Sequence, residues 1–357
     1  MTLTSEAREM DFIDSAQWSS QSWERQLKIY AQIGVAYAVT DSFYRLGIDG
    51  IIGFGPSEHQ THWETMVRPN SILRTLQGAD GLLGVDSLEA GIIVYCAIGP
   101  FAARREGRIE INPGASWISL NKWPLRDPTD PCTPDWSPRI PILDQSGSER
   151  PTWTIRLLSM EFYEQEGTEW KSIEGGKINL EGGLQVILDS GHSVSWVPDE
   201  VIRCLREVVF PCAHNDALEE RRKDAPVEFS DVARANSQTS DYNYSVSGRN
   251  PRRTFIKYEF WAGDGKTRGI VVHGPTSEFV WGLKPRHSDD PVIEGLLFNP
   301  PPTSLPPGTA IWGINFFQSM FVALHMPEVQ STQKAYVRLA PQWPSERTKY
   351  GLPPLDW

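Results

Sequence analysis

Short runs of β-branched and aromatic residues, broken at close intervals by glycine or proline, recur through most of this chain. Gly91 to Pro100 reads GIIVYCAIGP, Trp153 to Phe162 reads WTIRLLSMEF, Leu184 to Val197 reads LQVILDSGHSVSWV, and Ala310 to Leu324 reads AIWGINFFQSMFVAL. Residues of this kind fit a pleated, half-buried surface, and breakers at that spacing leave no room for long helices. With 29 glycines and 28 prolines alongside 14 tryptophans and 14 phenylalanines, the composition supports the same reading: a mainly β protein of many short strands. At 357 residues, the chain is too long for one small core. It suits two lobes of ordinary size, the first expectation, or one large domain with insertions.

Further segments come from the same pattern. Lys28 to Gly55 reads as strand, loop and buried strand around Asp49-Gly50, and Gly107 to Gly114 (GRIEINPG) alternates like an edge hairpin strand. Phe255 to Trp261, Arg268 to His273 and Ala335 to Ala340 predict strands, whereas Thr65 to Leu76 predicts a short helix and Pro198 to Val208 another. The stretch 124–151 is dense in Pro, Asp and Ser and predicts a connection between lobes. Residues 213–253 are polar and charged, which predicts a mobile surface insertion.

The net charge of −11 argues against a nucleic-acid partner, because phosphate binding needs a basic face that releases counterions. No apolar run reaches the roughly 20 residues of a membrane helix, so no membrane is expected. The first residues lack the charged start and apolar centre of a secretory signal. Cys96, Cys132, Cys204 and Cys212 show no paired metal-ligand spacing and leave the redox compartment open. His59, His62 and Glu64 lie in a polar stretch without a further ligand partner and read as a solvated face, so no metal is predicted. Gly265-Lys266-Thr267 lacks the upstream glycine of a phosphate loop, Phe260 standing in its place, and reads as a hairpin tip. No cofactor is expected. Asn243-Tyr244-Ser245 is a glycosylation sequon that matters only if the chain enters the secretory route.

The segment that carries chemistry is VILDSGHS, Val186 to Ser193. It sets Asp189 at the end of a buried apolar strand, with Ser190, Gly191, His192 and Ser193 after it. A carboxylate at that mouth ionises readily only if backbone amides and hydroxyls point at it, and Ser and Gly are residue types that permit such donors. The bland alternative is a strand-end Asp in an ordinary turn. The string resembles the hydrophobic-hydrophobic-D-S/T-G-S/T signature of pepsin-like aspartic endopeptidases of the fungal type. SWVPDEVI, AIWGINFFQSMFVALH and AYVRLAP resemble the segments downstream of that signature in the family's second lobe, with Ile311-Trp312-Gly313 on its apolar-apolar-glycine triplet. Upstream, QIGVAYAVTDSFYRLGIDGIIGFGP, GRIEINPG and WTIRLLSM resemble later first-lobe and interlobe segments, in family order from about Gln32 to Pro341.

The resemblance implies a bilobal pepsin-like acid protease fold with an incomplete first lobe. Its parts would be a first-lobe remnant over 1–123, the connection over 124–151, a second lobe over 152–345 and a tail over 346–357. It also implies a cleft for an extended peptide or protein substrate, a monomeric state, Asp189 as catalytic residue and Ser190, Gly191, His192 and Ser193 as its supporting loop. The chemistry needs two carboxyls about 3 Å apart sharing one proton, one to take a proton from water and one to donate to the scissile carbonyl. The sequence departs from the family at this point. Asp14-Ser15-Ala16 lacks the glycine, Asp41-Ser42-Phe43 carries a bulky ring, and Asp49 reads as a turn residue. The first Asp loop, the flap and any signal or propeptide are therefore expected to be missing, and this chain alone is expected to be inactive. A full-length family member would be secreted or vacuolar. His192 replaces the usual Thr or Ser, and His325 the usual Asp after the V-V-F run. The alternative is a non-catalytic peptide- or protein-binding pseudopeptidase. A homodimer pairing two Asp189 loops is disfavoured, because first-lobe strands would occupy the docking surface.

Overall fold

The computed structural model describes residues 3–13, 26–36, 55–56, 91–98, 102–105, 108–110, 117–120, 134–143, 152–166, 169–192, 195–210, 212–214, 244–246, 253–263, 269–276, 280–283, 293–296, 298–299, 301, 303, 305–327 and 333–342. The architecture is mainly β. In chain order the strands are β1 (Leu3–Ile13), β2 (Gln26–Ala36), β3 (Gly91–Ala97), β4 (Ala102–Arg105), β5 (Arg108–Glu110), β6 (Trp117–Leu120) and β7 (Ile140–Pro141). Next come β8 (Thr154–Glu166), β9 (Glu169–Leu188), β10 (Ser195–Trp196), β11 (Cys212–His214), β12 (Tyr244–Val246), β13 (Thr254–Phe260) and β14 (Ile270–Pro275). The last are β15 (Val280–Leu283), β16 (Ile293–Leu296), β17 (Phe298–Asn299), β18 (Thr309–Trp312), β19 (Met320–Pro327) and β20 (Tyr336–Pro341). Helix α1 (Asp199–Cys204) runs on into a π-helical turn, Leu205–Val209, and α2 (Ile314–Ser319) joins β18 to β19.

Two sheets share one core. The larger has the order β14-β13-β8-β9-β18-β10-β17 and the smaller β6-β3-β19-β20-β7. A single apolar cluster contains Ile92, Val94 and Ile140 of the smaller sheet together with Ile155, Phe162, Val186, Tyr258 and Trp312 of the larger. The strand patterns reflect where each strand lies. β13 alternates buried and half-buried, with Thr254, Ile256, Tyr258 and Phe260 inward, the signature of a sheet with one covered face. β19 is buried at all eight positions, as expected for a central strand covered on both sides, and its text is accordingly almost wholly apolar. Its one imidazole, His325, is fully buried and stacks on Tyr336 at 4.2 Å.

β8 and β9 form a long antiparallel hairpin whose register shifts twice. Between Leu157↔Leu184 and Ser159↔Asn179, β8 advances two residues while β9 advances five, and the same happens between Glu161↔Lys177 and Tyr163↔Ser172. Each offset falls on a repeated Glu-Gly-Gly, Glu174-Gly175-Gly176 and Glu181-Gly182-Gly183. Gly175, Gly182 and Gly183 have φ of 74°, 74° and 79°, a region open to glycine at little cost, so extra residues are accommodated there without breaking the hairpin. The offset at Gly175 is backed by helix α1, where the Cys204 thiol donates to the Gly175 carbonyl at 3.8 Å. Burial pushes that thiol up to about 11, with Glu207 adding to the effect, and burial pushes the Cys96 thiol up to about 12. Both are free cysteines.

The expected strands at Gly91, Trp153, Phe255, Arg268 and Ala335 and the helix after Pro198 are present, whereas the run Ala310 to Leu324 is divided by α2 into β18 and β19. β9 is longer than the sequence suggests, beginning at Glu169 rather than Leu184. Strands β13 and β14 pair antiparallel around Gly265-Lys266-Thr267, although those three residues lie outside the described ones. The expected Thr65 to Leu76 helix, most of 213–253 and the second half of Lys28 to Gly55 also lie outside them. The ends of the 213–253 segment are joined, because β11 pairs with β12. Among the described residues no helix is long and apolar enough to cross a membrane.

Candidate functional site

Asp189 comes directly after the last residue of β9, where that strand runs parallel to β18 with Leu188 opposite Trp312. The two amides at this strand end point to opposite neighbours. Leu188 N–H donates to Trp153 O at 2.9 Å, and Asp189 N–H donates to Trp312 O at 3.0 Å. The backbone of Asp189 is thereby held from both sides. The chain then turns sharply: His192 N–H donates to Asp189 O at 3.1 Å, and Gly191 N–H donates to Asp189 Oδ1 at 2.9 Å. The second bond is an Asx-type closure, in which a short carboxylate caps its own turn. A Cβ on residue 191 would stand 3.1 Å from Asp189 Oδ1, so only glycine leaves the carboxylate in place without adjustment. Ser190 is exposed at the turn tip.

His192 closes the loop onto the opposite segment, its carbonyl accepting from Ile314 N–H at 2.7 Å. Its imidazole lies edge-on to Trp196 with centroids 4.1 Å apart. Ser193 lies outside the described residues. The chain re-enters the sheet as β10 on the far side of β18, with Trp196 antiparallel to Ile311 and Ser195 parallel to Phe298 of β17. β9, which leads into Asp189, and β10 therefore flank β18 on its two sides. This topology explains why an acidic residue at the end of a buried strand is tolerated: the turn lifts it out of the core. Asp189 is exposed.

Beneath the loop lies a layer of rings. Trp312 stacks on Phe316 at 4.2 Å and meets Tyr258 at 5.3 Å and Phe260 at 5.9 Å. Ile311 and Trp312 are buried, so the triplet Ile311-Trp312-Gly313 is core. Two polar side chains at this level were not singled out from the sequence. Ser195 and Asn315, 0% and 1% exposed, are hydrogen-bonded to each other at 2.6 Å, although 120 positions separate them. Neither is set apart in the sequence, because both stand in stretches that mix polar and apolar residues.

Among the described residues, the carboxylate of Asp189 receives one hydrogen bond, from Gly191, and no ion pair. No group of three His, Cys, Asp or Glu that could hold a metal ion occurs among the described residues. Asp49, His59, His62, Glu64 and Asn243 lie outside them.

Among solved structures, the chain resembles the aspartic proteinase from Irpex lacteus, with a TM-score of 0.48 and 12% sequence identity, covering 89% of this chain and 74% of that one. No protein-family model matches the chain, and no curated protein matches it in sequence.

Proposed function

We propose that the chain carries the second-lobe carboxylate loop of a pepsin-like aspartic endopeptidase and that, on its own, it does not hydrolyse peptides. In this reading the protein is bilobal, and an extended peptide or protein would lie across Asp189 between the lobes of a monomer. The observation that carries it is the closed D-S-G turn, in which Gly191 N–H holds Asp189 Oδ1 at 2.9 Å at the exposed end of β9. A carboxylate so placed can accept a proton from water or hydrogen-bond a carbonyl hydrate. The ordered motifs from Gln32 to Pro341 support the same assignment.

Hydrolysis requires more than this loop. One carboxyl must be ionised to take the water proton while a second, about 3 Å away, stays protonated to donate to the scissile carbonyl. Asp189-Ser190-Gly191 is the one D-S/T-G string in these 357 residues, and a single Asp cannot be acid and base in the same step. The turn from Asp189 to His192 is nonetheless closed, which favours a second reading, a pseudopeptidase that binds extended peptides without turning them over.

Incubation with a denatured protein between about pH 3 and 5, where a carboxylate pair shares one proton, is expected to give no pepstatin-sensitive cleavage. Cleavage abolished by Asp189→Asn would overturn the assignment of inactivity. Calorimetric titration with a statine-type peptide separates the two readings. Binding that is lost in Asp189→Asn supports the recognition role, and no binding to either protein removes it.

A further inference from the structure

We infer that Ser195 and Asn315 are positioning residues for the Asp189 carboxylate, acting through a buried polar latch between the loop and the start of α2. The inference rests on reading Asp189 as the functional carboxylate. The chain of donors is directional. Gly313 N–H donates to Ser195 Oγ at 3.1 Å, so the serine proton is turned towards Asn315 Oδ1, 2.6 Å away. Phe316 N–H donates to the same Oδ1 at 3.2 Å, which fixes the amide with its oxygen facing the serine. Both side chains are essentially fully buried.

Stability alone does not account for such a pair, because replacing both members of a buried polar contact by apolar groups is often close to neutral. A fully satisfied buried network does specify one arrangement among several of similar packing energy. The arrangement specified here is the seat of the carboxylate loop. Two backbone bonds already tie the loop to the same segment, Asp189 N–H to Trp312 O and Ile314 N–H to His192 O. The latch adds a third and fourth from the loop's exit end, so that residues 189 and 195 are both referenced to 312–316. With the exit end free, the loop would retain its attachment through His192, but the turn that holds Oδ1 on Gly191 would no longer be clamped at both ends.

The test uses the full chain as wild type, Ser195→Ala, Asn315→Val and the double variant. The amide of a donor shifts as its carboxylate partner ionises, so the Gly191 15N–1H signal tracked through the acid range reports whether Oδ1 remains on Gly191. Thermal unfolding is measured beside it. The expected result is a Gly191 titration amplitude reduced about twofold or more in all three variants, while the double variant unfolds nearer to wild type than the two single effects would sum to. Where the double variant binds a statine-type peptide, its affinity is expected to fall about tenfold although its stability is largely regained. A full Gly191 amplitude in the folded double variant overturns the inference. If Ser195→Ala does not fold, Asn315→Val, which keeps the Gly313 to Ser195 bond, carries the comparison. A flat wild-type Gly191 signal also overturns it, since the bond being positioned would not exist. Failure of the wild type to bind the statine-type peptide would count against the peptidase reading alone, leaving the Gly191 signal to decide the latch.

Discussion

Asp189 and Glu161 are carboxylates of the same seven-stranded sheet, and their surroundings are opposite. Glu161 sits within β8, where Lys257 Nζ donates to Oε2 at 3.1 Å and Ser172 Oγ to Oε1 at 2.9 Å. Burial pushes its carboxyl up, but the hydrogen bonds from Lys257, Ser172 and Tyr163 together outweigh that and hold it below the usual value. Rings close the same face, with Tyr163 stacked on Phe255 at 4.7 Å and Trp170 edge-on to Phe255 at 4.8 Å. Asp189 stands past the end of its strand, exposed, with one amide on one oxygen. A carboxylate whose acceptor sites are filled by neighbours serves the fold. One that is held by its own turn and left open to solvent retains capacity for an external proton or ligand.

That contrast is tested hardest by removing the rings under the Asp189 loop. Trp312→Ala deletes the ring on which Phe316, Tyr258 and Phe260 converge, and denaturant unfolding should show a loss of about 3–5 kcal/mol. If the loss were small, the loop would not depend on that layer. Gly191→Val comes next. Its Cβ would press on Asp189 Oδ1 from 3.1 Å, and loss of the turn-closing bond with some backbone adjustment should cost about 1–2 kcal/mol. The Gly191→Val protein should also lose any affinity for a statine-type peptide.

Glu161→Gln should cost less, about 0.2–1 kcal/mol, because the ion pair with Lys257 is a third exposed on the lysine side and is screened by solvent. Its pH dependence has a definite sign. The folded value of Glu161 is depressed, so its contribution is present above the unfolded carboxyl value of about 4.3 and is lost as pH falls through the folded value. Lys257 is raised, chiefly by the hydrogen bond to Glu161, so its share persists below about 10.4 and is lost as pH rises through the folded value. The stability gap between wild type and Glu161→Gln should therefore be widest between those limits and close on the acid side. Asp189→Asn should have the smallest effect, within about 0.5 kcal/mol, since an exposed side chain with one acceptor bond is replaced by one that keeps an acceptor. A larger loss for Asp189→Asn than for Glu161→Gln would reverse the assignment of roles to the two carboxylates.

Strands set off by clear breakers were legible in the sequence: β3, β13, β20 and the first part of β8 were read with bounds close to those observed, whereas Ala310 to Leu324 was read as one run although it holds β18, α2 and β19. β9 was readable only after its second offset, because the inward residues Ile173, Ile178, Leu180 and Leu184 do not keep a single period-two pattern across the Glu-Gly-Gly insertions. At the site, Asp189, Ser190 and Gly191 could be read as a turn because Asp, Ser and Gly are local turn formers, and their closure is local. Ser195 and Asn315 could not, since each is unremarkable among its neighbours and their pairing depends on β10 arriving beside β18 from the other side of the loop. His192 stands where the resemblance implies Thr or Ser, and its ring is edge-on to Trp196, a contact made four residues further along the chain.

The repeated glycine offsets in β9 also bear on how this protein can tolerate change in length. Each works as an expansion joint, so a residue gained or lost beside Gly175 or Gly182 can be taken up locally and the frame beyond it preserved. Between Leu184 and Leu188 there is no such slack. A single-residue deletion there would exchange inward and outward sides of the strand, turning Asp189 towards the rings of Trp312 and Phe316 and presenting leucine to the solvent. Insertions and deletions compatible with function should therefore collect at the glycine pairs and be absent from the five residues that lead into the acid.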